Sequence, residues 1–177
     1  MKTKEIITTS MFNLLKLKPF NEITVQNVLD DCKVSRSTFY RYFKDMFDLM
    51  NWCYQSYVDT LIQNVYDGTE NWENTLYLIY AFLNDNHEYF ENASNVEGRN
   101  SFWNFLYEYS FNFYKTVYLK NTQAENLSTK AIIFLEFNTM GSVFLVKQWF
   151  HKGRKESISD MAKWTYELIP EMYRNFL

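Results

Sequence analysis

The sequence has very few of the residues that support tight turns. Its 177 residues include only 4 glycines and 2 prolines. These two residues supply the backbone conformations on which most tight turns depend, so their scarcity favours long helices over many short strands. The hydrophobic content of 47% is ample for a core. We therefore predict an all-α fold.

Side chains that form disulfides or bind metals are equally scarce. The 2 cysteines and 2 histidines are too few for a disulfide framework or a three-histidine zinc site. Cys32 and Cys53 are expected to be reduced and buried. The chain also has no glycine-rich phosphate loop, no nucleophile-elbow motif and no His-Glu-x-x-His motif. We therefore expect no enzymatic activity, no metal site and no cofactor.

Long apolar runs are missing as well. No run of about 18 apolar residues is present, so the sequence predicts no membrane span. The first ten residues, MKTKEIITTS, lack the apolar core of a signal peptide. We expect the protein to act in the cytoplasm.

What the sequence does contain is a segment, residues 24–44, with the pattern of two short helices joined by a tight turn. Thr24 is a suitable N-cap for the first helix, whose apolar residues recur with helical spacing. Ser35 is a suitable N-cap for the second, in which Phe39 and Phe43 lie four residues apart and face inward. The remaining side chains of the second helix are cationic or carry hydroxyls, which suits the DNA major groove. The pattern predicts a helix-turn-helix.

The residues expected to contact DNA lie on the outer side of this segment. Arg36 and Ser37 begin the second helix, where side chains normally meet base edges, and arginine can hold O6 and N7 of guanine with two hydrogen bonds. Tyr40 is predicted to contact a phosphate, whereas for Tyr42 packing within the segment is an equal alternative. The full predicted set is Thr24, Lys33, Ser35, Arg36, Ser37, Tyr40, Arg41, Tyr42 and Lys44.

The same segment resembles the DNA-binding signature of the tetracycline-repressor (TetR/AcrR) family. The residues that carry the resemblance are Phe20-x-x-Ile23-Thr24-Val25 and Val34-Ser35-Arg36-x-Thr38-Phe39-Tyr40-x-Tyr42-Phe43. A further likeness, to a branch that includes activator-type regulators of dihydroxyacetone-kinase operons, lies in Gly141, Trp149, Gly153 and Ser157. The resemblance implies a three-helix DNA-binding head, an all-helical body and a homodimer that binds a palindromic operator. This chain departs from the family at Lys33, where a glycine is usual, and at Met46, where a lysine is usual.

Charge is distributed unevenly along the chain. Residues 1–50 carry 8 Lys and Arg against 6 Asp and Glu, whereas the remaining residues carry 10 against 15. A mildly basic head on an acidic body fits a small DNA contact. We predict that residues 1–45 form the DNA-binding domain and residues 46–177 form an effector-binding and dimerisation domain.

The helices of the body are predicted from apolar periodicity. Asp45 is the expected N-cap of a fourth helix that runs to about residue 67, with Leu49, Cys53, Tyr57, Leu61 and Val65 on its apolar side. A fifth spans residues 70–91, and a polar loop follows at residues 92–100. A sixth, at residues 101–119, is apolar nearly all round and is expected to be buried in the centre of the bundle.

Two C-terminal helices complete the predicted body. The seventh covers residues 127–152, with Gly141 allowing a close helix approach. The eighth begins at Ser157, whose Ser-x-x-Asp pattern is a capping signal, and is shortened by Pro170. Both helices have apolar faces to spare, and a homodimer formed through the two pairs is the expected solution, as the resemblance implies.

The many aromatic residues of the body permit two interpretations. They make up 20% of the whole chain and are either core filling or the lining of a ligand pocket, which is mostly apolar with a few polar groups. The candidate ligand-binding residues are Trp72, Tyr80, His87, Trp103, Tyr109, Phe113, Phe134, Phe137 and Asn138. The primary functional hypothesis is a ligand-responsive repressor, and the alternative is an activator-type regulator whose body binds a partner protein instead of a small molecule.

Overall fold

The computed structural model describes residues 2–96, 98 and 101–177, and the regular structure of these residues is helical throughout. The prediction of an all-α chain is confirmed. The helices are α1 (Thr3–Leu17), α2 (Val25–Cys32), α3 (Arg36–Tyr42), α4 (Met46–Tyr66), α5 (Trp72–Asp85), α6 (His87–Ser94), α7 (Phe102–Thr122), α8 (Thr129–His151), α9 (Ile158–Glu167) and α10 (Glu171–Arg174), with a 3₁₀ turn at Phe20–Glu22.

The chain divides into two compact units, each built from segments that are separate in sequence. The first takes in the chain up to Thr60 together with Asp85–Phe102, and the second takes in Leu61–Asn84 together with Trp103–Leu177. Helix α4 therefore contributes to both. The boundary predicted at residue 45 is a division by function, and it stays a prediction.

Helix α1 has the bounds that its sequence predicts. Ile7, Met11 and Leu15 recur one turn apart and are completely buried in the first unit. The helix ends because Lys18 precedes Pro19, whose ring excludes helical geometry from the residue before it. Lys18 accordingly has an extended backbone, with φ −156° and ψ 156°.

Helix α4 begins where predicted, but its buried side differs from the prediction beyond Cys53. Tyr57 is exposed, whereas Tyr54 is buried because its ring meets those of Phe90 and Phe102, at centroid distances of 6.1 and 5.6 Å. The predicted four-residue repeat through Tyr57 is therefore wrong. The residues of α4 that are buried are Leu49, Met50, Cys53, Tyr54, Val58 and Ile62.

The single fifth helix predicted over residues 70–91 is wrong, because the structure has two helices there. Asn86 leaves helical geometry, with φ −121° and ψ 32°, and separates α5 from α6. It lies in a run of short polar side chains that compete with the backbone for hydrogen bonds. The break allows Tyr89 to be fully buried in the first unit, where its hydroxyl donates to the carbonyl oxygen of Met50 at 2.5 Å.

The predicted loop at residues 92–100 begins later than expected, because α6 continues to Ser94. Glu97, Arg99 and Asn100 of that loop lie outside the described residues. Helix α7 is not buried on all sides, contrary to prediction, and several of its aromatic residues are half-buried. Its fully buried side chains are Phe102, Leu106, Phe113 and Val117.

Caps set the limits of the C-terminal helices. The Ser128 side chain accepts a hydrogen bond from the backbone N of Ala131 at 3.2 Å, and that of Ser157 accepts from Asp160 N at 3.1 Å. The second of these is the predicted cap. Pro170 ends the helical run after α9 as expected and leaves α10 as a single short turn.

Helices α8 and α9 keep large apolar side chains on their surface. We call this set the α8/α9 apolar face, and its members are Ile132, Ile133, Phe137, Met140, Phe144, Trp164 and Leu168. Gly141 lies beside it, and apart from its chain neighbours and the backbone of its own helix no atom lies within 4 Å of the position that a Cβ would occupy. The prediction that Gly141 allows a close helix approach is therefore wrong for a single chain.

Helix α8 is also long and apolar enough to cross a membrane. Its most apolar 18-residue window has a mean hydropathy of 1.3, and 22% of that window is buried. The expectation of no span rested on the lack of an uninterrupted apolar run, and Lys130, Glu136 and Lys147 do interrupt α8. Length and composition alone are weak support for a span, since packed helices share them.

Candidate nucleic-acid interface

Helix α2 starts with a reciprocal cap. The Thr24 hydroxyl accepts a hydrogen bond from the backbone N of Asn27 at 3.2 Å, and the Asn27 side chain accepts one from Thr24 N at 3.0 Å. Two of the amides that every helix leaves unpaired at its start are satisfied in this way. Val28 and Leu29 then bury the inner side of the helix.

The turn between α2 and α3 depends on Lys33. Its backbone is left-handed, with φ 55° and ψ 35°, a conformation that costs a side-chain-bearing residue about 1–2 kcal/mol. Glycine, the usual residue of the resembled family here, adopts it freely. The turn therefore keeps its geometry despite the lysine, and it leaves the Lys33 side chain exposed.

Helix α3 is held by its ends and its inner side. The Ser35 hydroxyl accepts from the backbone N of Thr38 at 3.1 Å and lies 2.9 Å from the hydroxyl of Ser37. Phe39 and Phe43 are buried as predicted, with ring centroids 5.9 Å apart. These anchors fix which side of α3 faces outward.

The outer side of this segment carries most of the predicted DNA-contacting residues. Tyr40 is 51% exposed, and its ring meets that of the buried Phe39 edge-on. Tyr42 is half-buried, and the Arg41 guanidinium lies 5.0 Å from its ring centroid. The exposed members of the set are Thr24, Lys33, Ser35, Arg36, Ser37, Tyr40, Arg41 and Lys44.

Sequence reasoning missed two residues that contact this surface. An Arg36 Nη2–H donates to Gln26 Oε1 at 3.1 Å, and Gln26 Nε2–H donates to Asp30 Oδ1 at 2.8 Å. Asp30 therefore accepts a hydrogen bond that the sequence did not predict. The spacing of Gln26 and Asp30, one turn apart on α2, was visible in the sequence, but its connection to Arg36 needed the turn geometry.

The nine candidate ligand-binding residues are not gathered at one place. Trp72 stacks on Phe113 with ring centroids 4.4 Å apart, and both are buried. The Tyr80 hydroxyl lies 2.9 Å from that of Thr165, and burial raises the pKa of Tyr80 to about 12. These three residues fill the core of the second unit, and Phe137 is largely exposed.

Three further candidates have their own local contacts. His87, in the first unit, pairs with Glu91 at 3.6 Å. In the second unit, the Trp103 ring centroid lies 5.8 Å from Lys147 Nζ, and Tyr109 stacks on Phe105 at 5.7 Å.

Phe134 and Asn138 do share a crevice in the second unit. The Tyr173 ring lies flat on that of Phe134, with centroids 3.5 Å apart and planes inclined by 11°. The remaining cavity is about 20 Å³, which is room for about one water molecule and far less than the roughly 300–1,000 Å³ of a typical ligand pocket. The crevice is lined mainly by aromatic and aliphatic residues, so its chemistry suits an apolar group.

No metal site is formed by the part of the chain that the structure describes, since no three His, Cys, Asp or Glu side chains are grouped there. Cys53 is buried as expected, and burial raises its pKa to about 12. The expectation for Cys32 was wrong, because this residue next to the turn is only half-buried.

The C-terminal body of the chain matches a known protein family. Residues 70–171 match a TetR-type family model described as the transcriptional regulator C-terminal region, which covers more than half of the chain. The protein belongs to the TetR family of transcriptional regulators. Members of the family are regulators and not enzymes, which confirms the expectation that this chain is not an enzyme.

A curated relative of this TetR-family protein is the HTH-type dhaKLM operon transcriptional activator DhaS of Lactococcus lactis subsp. lactis (strain IL1403). The two are 27% identical over 89 residues, which is 50% of this chain and 47% of the relative. The matched region thus spans about half the length of that protein. The predicted likeness to regulators of dihydroxyacetone-kinase operons is confirmed as a likeness.

Solved structures agree on the fold. The dihydroxyacetone kinase operon activator DhaS superposes with a TM-score of 0.68 at 18% identity, over 98% of this chain and 97% of the other. A TetR transcriptional regulator from Streptococcus agalactiae 2603V gives 0.64 at 20% identity, over 96% and 94%. At these identities the likeness concerns the fold alone.

Proposed function

We propose that this TetR-family chain is a DNA-binding regulator of transcription that binds a near-palindromic operator as a homodimer. The observation that carries the proposal is the outer side of α3. Arg36, Ser37, Tyr40 and Arg41 are all exposed there, while Phe39 is fully buried beneath them. A helix whose polar side chains face outward can enter a DNA groove while Phe39 stays packed in the protein core.

The dimensions and chemistry of α3 fit a major groove. An α-helix with its side chains is about 10–12 Å across and the major groove is about 12 Å wide. Arg36 stands at the start of the helix, where base edges are read, and Tyr40 is one turn further along. Lys33 and Lys44 flank the helix and are suited to phosphates, which position a protein without reading sequence.

The homodimer is supported by the α8/α9 apolar face. Ile133, Phe137, Met140 and Phe144 are separated by steps of four, three and four residues and are each more than half exposed. This spacing places them in one stripe, the pattern by which two helices pack side by side. Gly141 offers room beside the stripe for a second helix. A C2 pairing covers the same face on both chains.

Activation is favoured over the repression that the sequence first suggested. The curated relative and the solved structure that bear the name DhaS are both described as activators. The expected effector is a small molecule or a partner protein that binds the body. It would shift the dimer between two conformations that differ in the distance between the DNA-binding heads, because it binds one of them more tightly. We place this activity in the cytoplasm, where the operator is accessible.

The test is genome-wide selection of DNA fragments by the purified protein at two salt concentrations. We expect one near-palindromic motif and an affinity that falls steeply with salt. A double variant, Arg36→Ala with Tyr40→Ala, is expected to lose the motif while its circular dichroism spectrum stays helical.

The matched control removes one cation and one exposed tyrosine elsewhere. Lys163→Ala with Tyr77→Ala does so in the second unit, where Lys163 is exposed and Tyr77 is 43% exposed. This control is expected to keep the motif. Equal operator affinity for the Arg36/Tyr40 variant and the wild type would overturn the assignment of α3.

A further inference from the structure

Gln26 links the two helices of the helix-turn-helix. Its side-chain oxygen accepts a hydrogen bond from Arg36 Nη2 at 3.1 Å, and its side-chain nitrogen donates to Asp30 Oδ1 at 2.8 Å. All three side chains are exposed on the outer surface. The three residues thus form a chain of hydrogen bonds from the middle of α2 to the first residue of α3.

The direction of this chain is fixed by chemistry. An ionised carboxylate can only accept hydrogen bonds, and a guanidinium can only donate them. The Gln26 amide must therefore turn its nitrogen to Asp30 and its oxygen to Arg36. Neither contact survives if the amide flips, so Asp30 and Arg36 both favour the same orientation of the Gln26 amide.

The contact restrains Arg36 without disabling it. A guanidinium has five N–H donors, and Gln26 uses one of them, which leaves a pair for a guanine edge. Because Gln26 is neutral, it does not compete for the arginine as a carboxylate at that position would. The Asp30 carboxylate contacts Gln26, and the Gln26 side chain lies between that carboxylate and the Arg36 guanidinium.

We propose that Gln26 is a positioning residue for sequence recognition: backed by Asp30, it holds the Arg36 guanidinium in the orientation that reads a base. The inference rests on the proposed DNA-binding function and adds to it a residue that acts through another. Restraining a long side chain before binding saves ordering entropy, and this saving is lost when the acceptor is removed.

The experiment is a double-mutant cycle on the operator that the wild type selects. Gln26→Ala, Arg36→Ala and the double variant are titrated against that operator and against versions changed at single base pairs. Gln26→Ala is expected to weaken operator binding by about two- to tenfold, in line with fixing one side chain. The loss should fall at the base pair that Arg36→Ala affects, and Gln26→Ala should add nothing to Arg36→Ala.

Variants of Asp30 test the far end of the chain. Asp30→Asn keeps an oxygen that accepts from Gln26 and should retain base discrimination, whereas Asp30→Ala should reduce it. Asp31→Ala is the matched control, since it removes the same charge from the neighbouring exposed position of α2. Any gain in non-specific affinity from losing a negative charge appears equally in Asp30→Ala and Asp31→Ala.

A measurement without DNA tests the restraint itself. In the free protein, NMR order parameters of the Arg36 side chain should fall in Gln26→Ala and stay unchanged in Asp31→Ala. An unchanged Arg36 order parameter in Gln26→Ala overturns the proposal. Additive losses in the cycle also overturn it, because Gln26 then acts independently of Arg36. A wild type that selects no motif refutes the proposed function instead, before any variant is compared.

Discussion

Removing the most exposed aromatic side chain of the α8/α9 apolar face should weaken dimerisation strongly. Phe137 is 79% exposed in the single chain and lies in the middle of the stripe. Fully burying a phenylalanine side chain is worth about 1.5–3 kcal/mol, so covering this exposed share is worth about 1.2–2.4 kcal/mol. A C2 interface contains the residue twice, which gives about 2.4–4.7 kcal/mol per dimer.

This free energy converts directly into a dissociation constant. Since each 1.4 kcal/mol is a factor of ten, Phe137→Ala should raise the Kd of the dimer by about 50- to 2,000-fold. Sedimentation velocity over a range of protein concentrations measures that constant. The fold of the variant should be intact, because the side chain has little to pack against within its own chain.

The control is Leu17→Ala, which removes a side chain that is 81% exposed on α1. It should leave the dimer Kd unchanged, because Leu17 lies outside the α8/α9 apolar face. If Phe137→Ala dimerises as tightly as the wild type, the pairing surface has been assigned to the wrong helices. Equal weakening by both variants would point to a general effect of surface hydrophobicity.

Two further predictions concern stability. Lys33→Gly should raise the free energy of unfolding by about 0.5–1 kcal/mol, because glycine adopts the left-handed backbone without strain but adds conformational entropy to the unfolded chain. Urea denaturation measures this free energy, with Lys44→Gly as the comparison. A loss of stability in Lys33→Gly would contradict the prediction. Stability should also fall between about pH 10 and 12, because burial raises the pKa of Tyr80 to about 12 and the unfolded chain then releases protons first. Tyr80→Phe should make that slope shallower in alkaline denaturation without abolishing it, since burial raises the pKa of Cys53 to about 12 as well. An unchanged slope would contradict the contribution of Tyr80.

Local signals in this sequence predicted local structure well. The bounds of α1 follow from Pro19, and the N-caps at Thr24, Ser35 and Ser157 are formed as expected. Such features depend on residues within one turn of each other. The family resemblance rests on the same kind of short-range pattern, which is why it could be recognised without a structure.

Properties that depend on distant residues were harder to predict. The buried side of α4 depends on the rings of Phe90 and Phe102, which contact Tyr54 from α6 and α7. The residue spacing within α4 does not predict these contacts. The break at Asn86 lies in a segment whose apolar periodicity continues on both sides. In the same way, Gln26 is an ordinary surface residue of α2 until the turn at Lys33 brings Arg36 beside it.

The aromatic residues show the limit of composition as a guide to ligands. Trp72 and Phe113 are apolar, large and close together, as pocket residues are, but they stack on each other and leave no space between their rings. Phe134 would line a larger crevice if Tyr173 did not cover it. Ligand pockets and cores contain the same types of residue, and they differ in whether side chains fill the volume between those residues.

If the chain forms the proposed homodimer through the α8/α9 apolar face, that pairing has a consequence for gene dosage. While the chain is scarce compared with the dimer Kd, the concentration of paired chains rises with the square of the total concentration. A twofold change in expression then changes the amount of two-headed protein about fourfold. The operator occupancy of such a homodimer depends more steeply on protein concentration than that of one polypeptide carrying two DNA-binding domains would.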